Sequence, residues 1–284
     1  MPQRLIKIYE SLKPALIFEF VYRQNHAALV SYAISTLAIC GCFLFGQWPY
    51  EQEALHNSFG DRFFVVIMIY AIAVATIIST GHAALSISGE KEKKTLTLLR
   101  MSGLGPGEII FSKAAVSLCF TVFILLPTAP LMTICPYLGG VSSPTIFKGL
   151  MILFVSMIFY ISAGIFISIL FKKNYTCISF ATAFLLILHF GFFIIDDAIN
   201  YNSGASYYSR QNSRYLSAFS PLEMWKNFFD SMQAKITPNY RPFTPESYFN
   251  LTSGESAALY FGAALILFFS GAKIFENYLK WRED

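Results

Sequence analysis

The sequence predicts an all-α, polytopic membrane protein with six transmembrane helices, and three observations carry that prediction. Of its 284 residues 55% are hydrophobic, only 13% are charged, and the mean hydropathy is +0.52. An ordinary soluble domain carries about 25% charge. The apolar residues come in long runs rather than in helical or strand alternation. Those runs are about twice as long as the ~10-residue alternating strands of an outer-membrane barrel. A soluble enzyme, a disordered chain and a secreted disulfide scaffold are thereby excluded.

A helix rises about 1.5 Å per residue, so about 20 apolar residues cross about 30 Å of hydrocarbon. Six stretches reach that length: residues 27–46, 63–87, 114–135, 146–171, 175–195 and 255–275. Only Lys172, Lys173 and Asn174 separate the fourth from the fifth, which predicts a tight hairpin. With both termini cytoplasmic, the inner segments hold fourteen of the 21 basic residues, including the clusters at Lys91, Lys93, Lys94 and at Lys172, Lys173. That asymmetry follows the positive-inside rule and predicts a multi-pass protein of the cell (inner) membrane. Trp48, Tyr50 and Tyr137 fall at the outer interface, Tyr278 and Trp281 at the inner one.

Residues 1–26 form a first unit. Leu5, Ile8, Tyr9, Leu12 and Leu16 make an apolar stripe with Arg4, Lys7 and Lys13 off it, which predicts a basic amphipathic helix on the inner leaflet. Charges recur through Arg23 before the first apolar run, unlike a signal peptide. Residues 27–284 are expected to form one six-span domain, with a cytoplasmic loop at 88–113 and an external segment at 196–254. Inside the external segment, Ser220-Pro221-Leu222-Glu223 combines a capping serine, a proline suited to the first helical position and a glutamate placed for a capping box. A short helix from Ser220 to about Met232 follows, its apolar face being Leu222, Trp225, Phe229 and Met232, resting on or dipping into the outer leaflet.

The loop 88–113 reads SGEKEKKTLTLLRMSGLGPGEIIFSK. Glu90 and Lys94 stand four apart in the favoured order, and Leu96 and Leu99 share a face. A short charged helix over about 90–100 is expected, broken at Gly103–Gly107, with a new helix starting near Glu108. No Gly-Lys dipeptide occurs in the chain, so the glycines do not form a Walker A phosphate cradle.

The run Glu90-Lys91-Glu92-Lys93-Lys94-Thr95-Leu96-Thr97-Leu98-Leu99, with Pro106-Gly107-Glu108-Ile109 and Lys113 after it, resembles the permeases of ABC type-2 transporters. Those carry an acidic-basic-acidic run, Thr-Leu and a leucine pair, a Pro-x-Glu-Ile turn and a lysine opening span three; Lys93-Lys94 stands where arginine-glycine is more usual. The six-span layout and the N-terminal Lys13-Pro14-Ala15-Leu16 with Glu19 and Arg23 are similar too. The resemblance implies an exporter of two permease halves and two ATP-binding-cassette ATPase subunits. In that reading Glu90, Lys91, Glu92, Thr95, Leu96 and Leu99 couple to the ATPase subunit, which binds the ATP. The chain itself carries no cofactor and no ATP-hydrolysing site. Its partners are the ATPase, a second permease half (a homodimer or a related chain) and the lipid bilayer, with no nucleic acid. A secondary transporter or channel without an ATPase is the alternative, and it would want charges near the middle of spans.

Ser79, His82 and Ser86 make a polar face on the second span, and Ala73, Thr76, Thr80 and Ala84 a small-residue face. A place on the transport pathway and plain helix packing both fit, packing being the simpler reading. His189 is expected to be a satisfied histidine, and Asp196 and Asp197 to be hydrated at the outer end of span five. The five cysteines read as small hydrophobes, with no metal site and no catalytic residue.

Overall fold

The computed structural model describes residues 26–46, 59–96, 105–139, 141–202, 219–236 and 252–281. The amphipathic helix expected over residues 1–26 lies outside them except for His26, which opens the first described helix, and Leu99 and the rest of 97–104 lie outside them too. The elements are α1 (His26–Gly46), α2 (Phe59–Glu92), α3 (Pro106–Leu125), α4 (Thr128–Ile134), α5 (Ser143–Leu170), α6 (Asn174–Leu186), a π-helical turn (Ile187–Gly191), α7 (Phe192–Asn202), α8 (Pro221–Ile236) and α9 (Ser253–Trp281). No strand occurs among the described residues. Five stretches are long and apolar enough to cross a membrane: Gly60–Glu92, Pro106–Leu125, Ser143–Leu170, Asn174–Asp196 and Ser253–Leu279. α1 has 21 residues and carries a shorter apolar stretch, Val30–Ile39.

Helix α5 is the central post. It packs along α2 and α9, and α3 and α6 lean on α2. Small residues let α5 and α2 meet closely: a Cβ at Gly164 would lie 2.7 Å from the Thr80 carbonyl oxygen and 2.8 Å from Ala83 Cβ. Of the expected small-residue face, Thr80 and Ala84 are fully buried, and Ala73 is exposed.

Two apolar cores lie along this post. One joins Phe64 and Met68 of α2, Met157 and Tyr160 of α5, Met224, Trp225 and Phe228 of α8, and Tyr260 of α9. The other joins Ala83 and Ile87 of α2, Leu96 just after the turn that ends α2, Ile109 and Ile110 of α3, Ile165 of α5, and Phe275 and Leu279 of α9.

Four local features differ from the sequence reading. First, α2 does not end near Ile87. It runs to Glu92, because Ser88 and Glu90 are buried against neighbouring helices. Second, the expected third span is shifted and broken. α3 starts at Pro106, with Glu108 Oε2 accepting the Gly105 N–H at 3.0 Å, and stops at Leu125. Pro127 and Pro130 lack the N–H a helix needs, so the chain turns at Leu126–Pro127 and resumes as α4. Third, α8 buries Met224, Trp225, Phe228 and Met232 in the bundle rather than lying on its rim. Its buried face is turned by about one residue from the expected one, leaving Leu222 36% exposed. Glu223 does not complete the capping box; it pairs with Lys226 at 2.7 Å. Fourth, Asp196 is buried, not hydrated.

Candidate functional site: the helix junction at Glu90

The last turn of α2 closes as a Schellman motif. The Thr95 N–H donates to the Glu90 carbonyl at 3.0 Å, and the Lys94 N–H to the Lys91 carbonyl at 3.3 Å. Lys94 takes the left-handed position, with φ 58°. Glycine suits that position best, and in the permeases this run resembles a glycine is the more usual residue there. Of the charged helix expected over 90–100, residues 90–92 are the end of α2, 93–95 form a turn and Leu96 is again helical, while 97–100 lie outside the described residues.

Successive residues of a helix are about 100° apart, so Glu90, Lys91 and Glu92 face three different neighbours. Glu90 meets not Lys94 but Lys113 of α3, at 2.5 Å, with the two side chains only 6% and 2% exposed. Lys91 Nζ donates to the carbonyls of Ser168 at 3.1 Å, Ile169, and Phe171 at 3.4 Å. These are among the last carbonyls of α5, which have no partner inside their own helix and favour a cation. Lys91 also lies 5.0 Å from the centre of the Tyr278 ring of α9. Glu92 Oε2 accepts the N–H of Asn174, the first residue of α6, at 3.0 Å. A carboxylate at a helix N-terminus satisfies an orphan donor and the dipole together.

Serine and asparagine side chains tighten the same place. Ser168 Oγ accepts the N–H groups of Ile87 and Ser88 at 3.0 and 2.8 Å, and Ser88 Oγ donates to Asn174 Oδ1 at 2.8 Å. Four other helices, α3, α5, α6 and α9, thus converge on the end of α2. Of the other residues assigned to coupling, Thr95 is exposed, and Leu96 is 5% exposed within the second core. Sequence reasoning missed the roles of Ser168, Asn174 and Tyr278. Lys113 and Asn174 did carry a signal: each is a polar residue set directly against an apolar run.

The three residues weighed as pathway-lining are differently placed. Ser79 donates to the carbonyl of Ala75, and Ser86 to that of Ala83 at 2.7 Å, both within α2. His82 Nδ1 lies 2.9 Å from Ser117 Oγ of α3, and its ring stacks on Phe120 at 4.5 Å.

At the other end of the bundle a second polar cluster fixes α8. His189, in the π turn, pairs through Nε2 with the Tyr160 hydroxyl at 3.0 Å and through Nδ1 with the Leu185 carbonyl at 2.8 Å. Ser220 Oγ donates to the His189 carbonyl at 3.1 Å and accepts the Leu222 N–H at 3.3 Å, so the helix cap doubles as a tie. Tyr260 donates to the Phe219 carbonyl. Beside this cluster an apolar cavity of about 740 Å³ opens between α3, α4 and α5, lined by Leu125, Met132, Phe147 and Met157 among others. Among the described residues no group of His, Cys, Asp and Glu is gathered to hold a metal ion.

Apolar helices of spanning length, tied at both ends by buried polar contacts, define a multi-pass α-helical membrane protein. The chain belongs to the ABC-2 family of transporter proteins, whose family model matches residues 9–277. No curated protein matches it.

Proposed function

We propose that the chain is the permease subunit of an ATP-binding-cassette exporter. It forms half of a translocation pathway with a second permease half, identical or related, and takes its energy from a separate ATPase subunit. Six spans cross the inner membrane, α1 being the first, and both termini are cytoplasmic. The single observation that carries this reading is the family match over nearly the whole chain. The junction at Glu90 supports it, because the turn that ends α2 sits where α3, α5, α6 and α9 meet that helix. The basic residues Lys91, Lys93, Lys94, Lys113, Lys172 and Lys173 lie around that junction, which supports a cytoplasmic location for it.

The ATPase contact is assigned to the exposed tip, Lys93, Lys94 and Thr95, with the loop that follows, including Leu99. Leu96 is buried inside the chain and is not a clean probe of docking. The test is copurification from native membranes through a tag on this chain. An ATP-binding-cassette subunit should accompany it, and Lys93→Glu with Lys94→Glu should reduce that recovery several-fold while the chain still inserts. Transport by the purified chain alone, with no ATPase recovered, would establish the secondary transporter or channel instead.

A further inference from the structure

We infer that Glu90, Lys91 and Glu92 are positioning residues that lash the first turns of α3 and the facing ends of α5 and α6 to the last turn of α2, so that a displacement of the loop moves four spans as one body. The inference rests on the permease reading above and changes the role of these three residues within it: they face this chain's own helices, not the ATPase.

The first argument is burial. Glu90 and Lys113 are 6% and 2% exposed in their side chains, so no partner protein reaches them without opening the bundle. The second is donor count. A lysine ammonium has three protons, and Lys91 directs them at three carbonyls, those of Ser168, Ile169 and Phe171. The third is direction. Glu92 is the exposed member, yet its carboxylate is turned back onto the Asn174 N–H at 3.0 Å. Each contact joins α2 to a different helix: those of Lys91 and Glu92 lie at the ends of α5 and α6, and that of Glu90 lies at Lys113, about two turns inside α3. The unit so formed continues directly into the turn at Lys93–Thr95, the exposed tip of the loop.

The experiment uses the permease–ATPase complex with nitroxide labels on cysteines at Phe123 of α3 and Ile194 of α7, 40% and 66% exposed and far from the junction. Distances are read by pulsed electron resonance without nucleotide and with ATP and vanadate. In the otherwise unaltered chain the distribution should stay narrow in both states. In Glu90→Gln and in Lys91→Met, ATPase recovery should remain within twofold of normal, and the distribution should broaden only with ATP and vanadate. Glu90→Lys combined with Lys113→Glu should restore the narrow form. Loss of ATPase binding in the single variants would make these residues docking contacts and overturn the inference. A distribution that stays narrow under ATP, or that is equally broad without it, would overturn it too. Failure of the unaltered chain to bind an ATPase would refute the permease reading itself.

Discussion

At the scale of single residues, Lys94 is the most strained position described. A side chain in the left-handed region costs about 1–2 kcal/mol relative to glycine. Glycine gives back about 0.4–1 kcal/mol through the freer unfolded chain. Lys94→Gly should therefore stabilise the protein by about 0.5–1 kcal/mol, read as a rise in the apparent Tm in detergent. Lys94→Ala keeps the Cβ at φ 58° and should give no such rise. A lower Tm for the glycine variant would show that the lysine side chain has a stabilising contact of its own. This turn was half legible beforehand: the departure from arginine-glycine marked the position, while the choice of Lys113 over Lys94 as the partner of Glu90 did not show. A local i,i+4 pair is visible in sequence; a partner on another helix depends on how α2 and α3 rotate against each other, which only packing decides.

At the scale of elements, two contacts control the bundle. α2 and α5 touch through Gly164, whose missing side chain makes room for backbone as well as Ala83. Gly164→Ala should force the helices apart and destabilise by about 1–3 kcal/mol, whereas Gly262→Ala, with nothing within 4 Å of the added atom, should be near neutral. α8 docks through Phe228, which is fully buried and approaches Gly149 of α5. Phe228→Ala should cost about 3–5 kcal/mol, and Leu222→Ala, on the half-exposed side, well under 1 kcal/mol. Equal small effects in thermal unfolding would return α8 to the membrane surface. The existence of α8 was legible in Ser220-Pro221, and that of α5 in its unbroken apolar run, because caps and runs are local signals. The face α8 buries was not, since Phe228 and Phe229 are equally apolar and only Gly149 distinguishes them. The break before α4 went unread in the expected span 114–135, although Pro127 and Pro130 interrupt that stretch.

For the whole molecule, burial is unevenly shared. The spanning window of α5 is 67% buried and that of the Asn174–Asp196 span only 6%. Ile178, Phe180, Leu186, Ile187 and Phe190 are exposed along it, a surface that water would not tolerate and lipid or a second subunit does. The hairpin between α5 and α6 then sets sidedness. In a chain without its native cysteines, Lys172→Cys should resist an impermeant thiol reagent applied to intact cells, and Tyr137→Cys, where the native side chain is 90% exposed, should react. Labelling at 172 from outside would invert the topology.

The π turn at Ile187–Gly191 makes that outer span sensitive to length in a way that composition hides. A π turn holds one residue more than an α-helical path would need, and every residue after it is advanced by about 100°. Asp196 owes its buried position, 1% exposed, to that advance, while Ile195 beside it is 46% exposed. Deleting Gly191 would remove the extra residue and let plain helix run through. Asp196 would then keep its bearing, because the residue lost and the turn closed offset each other, whereas closing the turn with every residue kept would rotate Asp196 by about 100° away from its buried place. The span therefore tolerates loss of the one extra residue at the π turn, whereas a deletion upstream between Asn174 and Leu186, with the turn kept, would bring Asp196 to the outward bearing now held by Ile195.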